Sequence, residues 1–352
     1  MTVKSLSGHS DMSEYALSWS KQIPRLISGG SDHVVCMWDL RDAETAGLFQ
    51  TSLSSSLFHS KVGSSDTAWA KSKTLDAKRK FRGHNDVVED VAYHPTDAGA
   101  NLFASVSDDR SLIVWDARLA GDKHGDGVAA RLEEAHSDDM NCVDWNSHDV
   151  NQIVTGSSDG TIHIYDYRML ASHGRRSIVR RYGRRIDASS TDGGSGSDET
   201  AQSRYKLGNI TNVMWSPTDG RFFASSGDDG AVTIWDASKS GAPLEQDGLP
   251  EALLFRHAGH RASIVDFDWN AQSAWTIASL SDDSENPRLA GGTLQVWRIT
   301  DLLYKGLQED TKATSEWIDS LGAALSKAEK EDAEKKAGAK NAKQQIVRRD
   351  GD

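Results

Sequence analysis

Five times along this chain a Ser or Thr is followed four residues later by Asp: Ser28 and Asp32, Ser105 and Asp109, Thr155 and Asp159, Ser225 and Asp229, Ser279 and Asp283. Six residues beyond the Asp stands an aromatic in four copies, Trp38, Trp115, Tyr165 and Trp235, while Trp297 is delayed by an insert from Ser284 to Gly292. His9, His84, His136 and His260 open four of the copies, and Lys206 stands where the remaining one would carry its His. A fixed period of this kind marks a stacked-repeat architecture. Between the markers, apolar and polar residues alternate as in short strands, for example Ala16–Trp19, Arg25–Ser28 and Val34–Trp38. The pairs Asp159-Gly160 and Asp229-Gly230 predict tight hairpins, because Gly takes positive φ without steric penalty. The expected fold is an all-β propeller of four-stranded blades around a channel. Five repeats are visible, near residues 8–41, 83–118, 135–168, 206–238 and 259–299, within a propeller region spanning 1–304. A single sheet cannot bury both faces, so blades must stack on one another and the ring must close to leave no long free edge.

A His, Ser/Thr and Asp together invite a catalytic interpretation. Nucleophilic catalysis needs one activated site, whereas this set recurs with an aromatic attached, as expected of buried hydrogen-bond networks tying strands together. No catalytic residues are assigned. The sequence has no phosphate-cradling Gly-Lys-Ser/Thr loop, no His-Glu-x-x-His pair and no two-Cys knuckle, so neither cofactor nor metal is expected. In the pairs Asp108-Asp109, Asp228-Asp229 and Asp282-Asp283, one acid belongs to the network and the other is expected in solvent on a rim. The 40 basic and 52 acidic residues leave a formal charge of −12, which disfavours direct nucleic-acid binding and favours basic partners. Cys36 and Cys142 read as two buried thiols in a reducing compartment. No signal peptide opens the chain and no run of roughly 18 apolar residues suggests a membrane span, so a soluble intracellular protein is expected.

Residues 42–80 are rich in Ser, Ala and Lys, and residues 171–205 contain Gly193-Gly194-Ser195-Gly196-Ser197; both are expected to be mobile loops. The second carries Arg175, Arg176, Arg180, Arg181, Arg184 and Arg185, which read either as a nuclear-import or nucleic-acid contact or as a solvated loop. Residues 305–352 form a charged tail in which Trp317, Ile318, Leu321 and Leu325 recur at helical spacing.

Four segments carry a more specific likeness: Gly83-His84-Asn85-Asp86-Val87-Val88-Glu89-Asp90-Val91-Ala92, Asp108-Asp109-Arg110-Ser111-Leu112-Ile113-Val114-Trp115-Asp116, the stretch from Ala135-His136 to Trp145-Asn146, and that from His257 to Asn270. The chain resembles the retinoblastoma-binding type of WD-repeat histone chaperone, especially the plant branch that includes FVE. That resemblance implies a seven-bladed propeller of which the chain begins at the third blade, so that an N-terminal helix and two blades of the family pattern have no counterpart here. It also implies a scaffold of the nucleus, or of nucleus and cytoplasm, that binds histones H3 and H4 within deacetylase or Polycomb-type chromatin complexes. The positions matching the family's H3-tail face are Tyr15, Glu89 and Asn141, and Asp247-Gly248-Leu249-Pro250-Glu251 matches its H4-helix loop. Asn209 and Thr211 depart from the family's peptide contacts. Separately, Trp38-Asp39-Leu40-Arg41, Trp115-Asp116-Ala117-Arg118 and Tyr165-Asp166-Tyr167-Arg168 fit the pattern by which substrate receptors meet a cullin-RING ligase adaptor, making Arg41, Arg118 and Arg168 the alternative contact set.

Overall fold

Strand pairing converts each sequence copy into an antiparallel sheet. The structure, a computed structural model, describes residues 6–10, 14–41, 74–119, 127–183, 207–241, 249–282 and 292–299. It divides into two units, residues 1–213 with 240–250, and residues 214–239 with 251–352.

In the first unit, β1 (Leu6–Ser7) lies parallel to β5 (Leu75–Asp76). The first sheet has the order β2 (Glu14–Trp19), β3 (Arg25–Gly30), β4 (Val34–Asp39) and β6 (Arg79–Arg82). The second runs β7 (Val88–Tyr93), β8 (Leu102–Ser107), β9 (Leu112–Asp116) and β10 (Val128–Leu132). The third runs β11 (Met140–Trp145), β12 (Gln152–Ser157), β13 (Ile162–Asp166) and β14 (Ile178–Tyr182), with α1 (Tyr167–His173) between its last two strands. The fourth, β15 (Ile210–Trp215), β16 (Phe222–Gly227), β17 (Val232–Asp236) and β18 (Leu253–His257), begins on the division between the units. The second unit continues with a fifth sheet of β19 (Ile264–Trp269), β20 (Thr276–Ser281) and β21 (Thr293–Arg298).

Apolar layers hold neighbouring sheets together. Within the first unit, Val35, Met37 and Phe81 of the first sheet share a core with Val88, Phe103 and Trp115 of the second. A second core joins Val106, Leu112 and Val114 to Met140, Ile153 and Tyr165. Two glycines make this approach possible. A Cβ on Gly29 would lie 2.4 Å from Val88 Cγ1, and one on Gly156 would lie 2.4 Å from Ile210 Cγ2. Polar stitches add direction: Asp90 Oδ2 accepts from Val143 N at 2.8 Å and Ser18 Oγ from Tyr93 N at 3.2 Å. The second unit has its own layer of Phe222, Ile234, Phe267, Trp269, Ile277 and Trp297. Leu17 and Trp19 on β2, and Leu294 and Val296 on β21, remain exposed apolar surface.

The hairpins joining second and third strands share one backbone device. Gly160 and Gly230 have φ of 74° and 71°, as expected from their sequences, and His33 and Arg110 occupy the same place in the first and second sheets at 62° and 63°. Those two residues carry a left-handed strain that glycine would relieve.

The sequence places residues 42–80 and 171–205 in loops, but their described parts are structured. Lys80 belongs to β6, the outer strand of the first sheet, and Arg180 and Arg181 lie on β14, the outer strand of the third. These outer strands each have one fully buried side chain, Phe81 or Tyr182, while their remaining residues, Arg and Lys in β6 and Ile178, Val179, Arg180 and Arg181 in β14, are partly or largely exposed. Alternation that weak does not rise above a solvated loop in sequence. The helical tail, Lys206, Arg184 and Arg185 lie outside the described residues.

Candidate peptide-binding face

Each sheet is locked by polar groups that the repeat markers supply. In the second sheet, His84 Nε2 meets Ser105 Oγ at 2.7 Å and its Nδ1 meets Asp109 Oδ2 at 3.1 Å. Trp115 Nε1 donates to the same Ser105 Oγ at 2.7 Å, and Ser111 Oγ donates to Asp109 at 2.6 Å. In the first sheet, His9 bridges Ser28 at 2.7 Å and Asp32 at 2.8 Å, but Trp38 Nε1 turns to the Ser7 carbonyl at 3.0 Å. The third sheet inserts Thr161: His136 contacts Thr155 at 2.8 Å and Thr161 at 3.0 Å, and Thr161 Oγ1 donates to Asp159 at 2.6 Å. Tyr165 there gives its hydroxyl to the Ala135 carbonyl at 3.3 Å. In the fourth sheet Trp235 Nε1 donates to Ser225 at 2.9 Å, and Asp229 is met by Arg256 at 2.7 Å. In the fifth, His260 contacts Ser279 at 2.7 Å and Thr293 at 3.0 Å, and Trp297 Nε1 donates to Ser279 at 3.1 Å. Asp283 lies outside the described residues.

These contacts are electrostatically strong. Burial acts to raise the carboxyls of Asp32, Asp109 and Asp159, but hydrogen bonds from His9, His84 and His136 with nearby backbone amides outweigh it and hold all three below the usual range. The recurrence and burial describe a frame, not a reaction centre, and among the described residues no cluster of three or more ligating side chains is arranged to hold a metal.

The residues matched to the H3-tail face stand at one structural position. Register shifts fall between Glu14 and Ala16, Val88 and Asp90, Met140 and Cys142, and Ile264 and Asp266, so the inner strands β2, β7, β11 and β19 bulge at their second residue. Such a bulge re-aims the extra residue out of the ladder. Tyr15, Glu89 and Asn141 are the residues so placed in the first three sheets, Tyr15 being described in its backbone alone.

The three positions differ in chemistry. Asn141 is engaged within the fold, donating from Nδ2 to the Ile210 carbonyl at 2.7 Å and to Ser158 Oγ at 3.1 Å. Glu89 has no such neutral partner. Partial burial raises its carboxyl, and the charges of Asp139 and Asp86 raise it further. Asp108 is pushed up to about 7 by burial and by Glu89, Asp139, Asp86 and Asp109. Asp139 is raised by burial, Asp138 and Asp86, against the lowering pull of Arg110. Four carboxylates thus share one patch, in which like charge opposes the ionisation of Glu89, Asp108 and Asp139. Asp108 therefore departs from the solvated rim acid expected of it: it is half-buried and coupled to Glu89. Its place just before the network Asp, with an acid at the preceding inner-strand bulge, is the signal that marks it; the third sheet has the neutral pair Asn141 and Ser158 instead.

Of the other matched residues, Asp247 and Gly248 lie outside the described residues, and Glu251 is ion-paired to Lys239 at 2.6 Å beside Leu249 and Pro250. Arg41, Arg118 and Arg168 form one repeated arrangement: each exposed guanidinium reaches back to the Asp two residues earlier, Asp39, Asp116 and Asp166, with the closest contact 2.6 Å in all three. The fourth sheet has Ser238 at that position, and Arg221 from the start of β16 takes over Asp236.

Antiparallel sheets locked by His–Ser/Thr–Asp–Trp contacts, whole or in part, define a WD-type β-propeller fold, and the chain carries WD repeats. The family model described as WD domain, G-beta repeat matches residues 1–39, 76–116, 130–166 and 203–236. The WD-40 repeat-containing protein MSI4 of Arabidopsis thaliana is 37% identical over 305 residues, covering 86% of this chain and 54% of that relative. The plant-branch resemblance seen in the sequence agrees with this match, and the chain spans about half the length of the relative.

Proposed function

We propose that this protein is a nuclear WD-repeat scaffold that binds histones H3 and H4 and serves chromatin-modifying complexes of deacetylase or Polycomb type, working by binding and not by turnover. The observation that carries this reading is the patch of Glu89, Asp108, Asp86 and Asp139, in which each raised carboxyl would be relieved by a cation. Lys and Arg side chains of a basic tail supply that cation with directional hydrogen bonds. The similarity to MSI4 and the net charge of −12 support the same reading. The test is a titration of the folded chain with labelled H3-tail and H4 first-helix peptides at low and moderate salt. Saturable H3 binding that involves the patch supports it, and binding of neither peptide by folded protein rejects it.

A second reading rests on the three matching Asp–Arg pairs, which hold Arg41, Arg118 and Arg168 outward in one geometry suited to a cullin-RING adaptor. The Arg side chains are exposed, but the carboxyls they reach, Asp39, Asp116 and Asp166, are only 0%, 9% and 16% exposed, so removing the guanidinium costs stability as well. Replacing all three Arg with Ala should therefore lower the melting temperature and abolish adaptor co-purification of the protein that remains folded. Undiminished co-purification removes this reading.

A further inference from the structure

The outer strands carry a basic residue at one shared register: Lys80 opposite Cys36, Arg131 opposite Ile113, Arg181 opposite His163 and Arg256 opposite Thr233. Three of the four are satisfied within their own sheet or its flank. Lys80 donates to the Gly8 carbonyl, Arg131 donates to the Gly83 carbonyl at 2.5 Å with Asp109 at 3.7 Å, and Arg256 pairs with Asp229 at 2.7 Å. Arg181 alone finds no hydrogen-bond or ion-pair partner for its guanidinium among the described residues. The reason is local. Asp159, the acid that would receive it, already accepts from Thr161 Oγ1 at 2.6 Å and from both the amide and hydroxyl of Ser137, at 2.9 and 2.8 Å. His163, unique to this sheet at that register, stacks on His136 with ring centroids 3.9 Å apart.

Arg181 borders a cavity of about 450 Å³ whose lining also includes Arg110, Arg175, His136 and His163, together with the carboxylates Glu134 and Asp159. Arg175 is balanced by Glu134 at 3.5 Å. Arg110 comes from the strained hairpin of the second sheet and makes no ion pair among the described residues; Asp139 feels its charge only from beyond contact distance. Burial, His136 and Arg181 together push His163 down to about 2, so it contributes a neutral ring at physiological pH. The cavity thus carries three guanidinia against two carboxylates, and Arg110 and Arg181 are in ion-pair contact with neither. The surplus of positive charge disfavours a basic tail there.

We propose that this cavity binds a phosphate monoester carried on a Ser or Thr side chain of a peptide. Two forked guanidinia facing one small concavity match a tetrahedral dianion with several acceptor oxygens. A small concavity takes a terminal group, whereas the diester backbone of a nucleic acid asks for a continuous groove. This assignment gives the Arg-rich segment a role independent of the carboxylate patch, and it stands or falls separately from the histone reading.

The experiment is a titration of the full chain with a short neutral peptide bearing one phosphoserine, with inorganic phosphate and a single-stranded oligonucleotide as competitors. Saturable binding is expected, weakened about tenfold or more by Arg181→Ala and by Arg110→Gly. Arg180→Ala removes the same charge from the other face of β14 and should leave affinity unchanged. Arg110→Gly relieves a φ of 63°, so it should raise the melting temperature while it lowers affinity, separating lost binding from lost folding. Competition by millimolar phosphate supports the monoester site. No saturable peptide binding, equal loss in Arg180→Ala, or tighter binding of the oligonucleotide overturns the proposal.

Discussion

Replacing Asp109 with Ala is expected to destabilise the first unit by about 3–5 kcal/mol, because several donors lose their acceptor at roughly 1–3 kcal/mol for each one left buried. The carboxylate receives His84 Nδ1 at 3.1 Å, the Ser111 hydroxyl at 2.6 Å, and the backbone amides of Ser111 and Asn85, each at 2.9 Å. Truncation leaves those donors in a region where His84 is 7% exposed, and unsatisfied buried donors carry a desolvation penalty. The fourth sheet provides an internal comparison. Asp229 accepts from the Ala231 amide at 3.1 Å and pairs with the partly exposed Arg256, so Asp229→Ala should cost only about 1 kcal/mol. Urea unfolding of the two variants checks the difference, and equal losses would show that the His frame adds nothing. A pH dependence follows from the same contacts. Asp32, Asp109 and Asp159 are depressed in the folded chain, so their stabilisation is complete above the ordinary carboxyl range near pH 4 and declines as pH falls toward their folded values.

The frame was legible in sequence because it consists of chemically distinctive residues at fixed spacing. Ser105, Asp109 and Trp115 announce a hairpin and its lock at once, and the structure brings them together with His84. The outer strands were not legible, since β6 and β14 each have one fully buried side chain, Phe81 and Tyr182, beside consecutive basic residues that break any alternation. The family likeness pointed to Glu89 and Asn141 alike, but their environments differ through tertiary contacts that spacing does not encode. Asn141 is consumed by the Ile210 carbonyl, whereas Glu89 is left facing Asp108 across a bulged strand pair. Equally hidden was Arg181, whose distinction is the partner it lacks when its register-mates Arg131 and Arg256 are compared with it.

Neutralising the carboxylate patch is expected to have the largest effect on binding. Hydrogen bonds to charged groups contribute roughly 1.5–3 kcal/mol each, so Glu89→Gln with Asp108→Asn should weaken a basic tail peptide at least about tenfold at pH 8. The wild-type affinity should itself depend on pH. Asp108 holds its proton until about pH 7, and a bound Lys or Arg favours the ionised form, so binding strengthens from pH 5 to 8 and levels off above that value. In the double variant this rise should flatten. Stability should move the other way. A carboxyl raised in the folded state is fully protonated with the unfolded chain below about pH 4, but between there and pH 7 only the unfolded chain ionises, which favours unfolding. Asp108→Asn should therefore match the wild type at pH 4 and exceed it at pH 8, by about 1 kcal/mol once solvent screening of this half-exposed group is allowed for. A variant that binds less while folding more stably is the mark of a patch kept for a partner, because carboxylates held together only for the fold would lose stability on neutralisation. Melting curves at the two pH values and peptide titrations across the range decide it, and loss of both properties together would assign Asp108 to the frame.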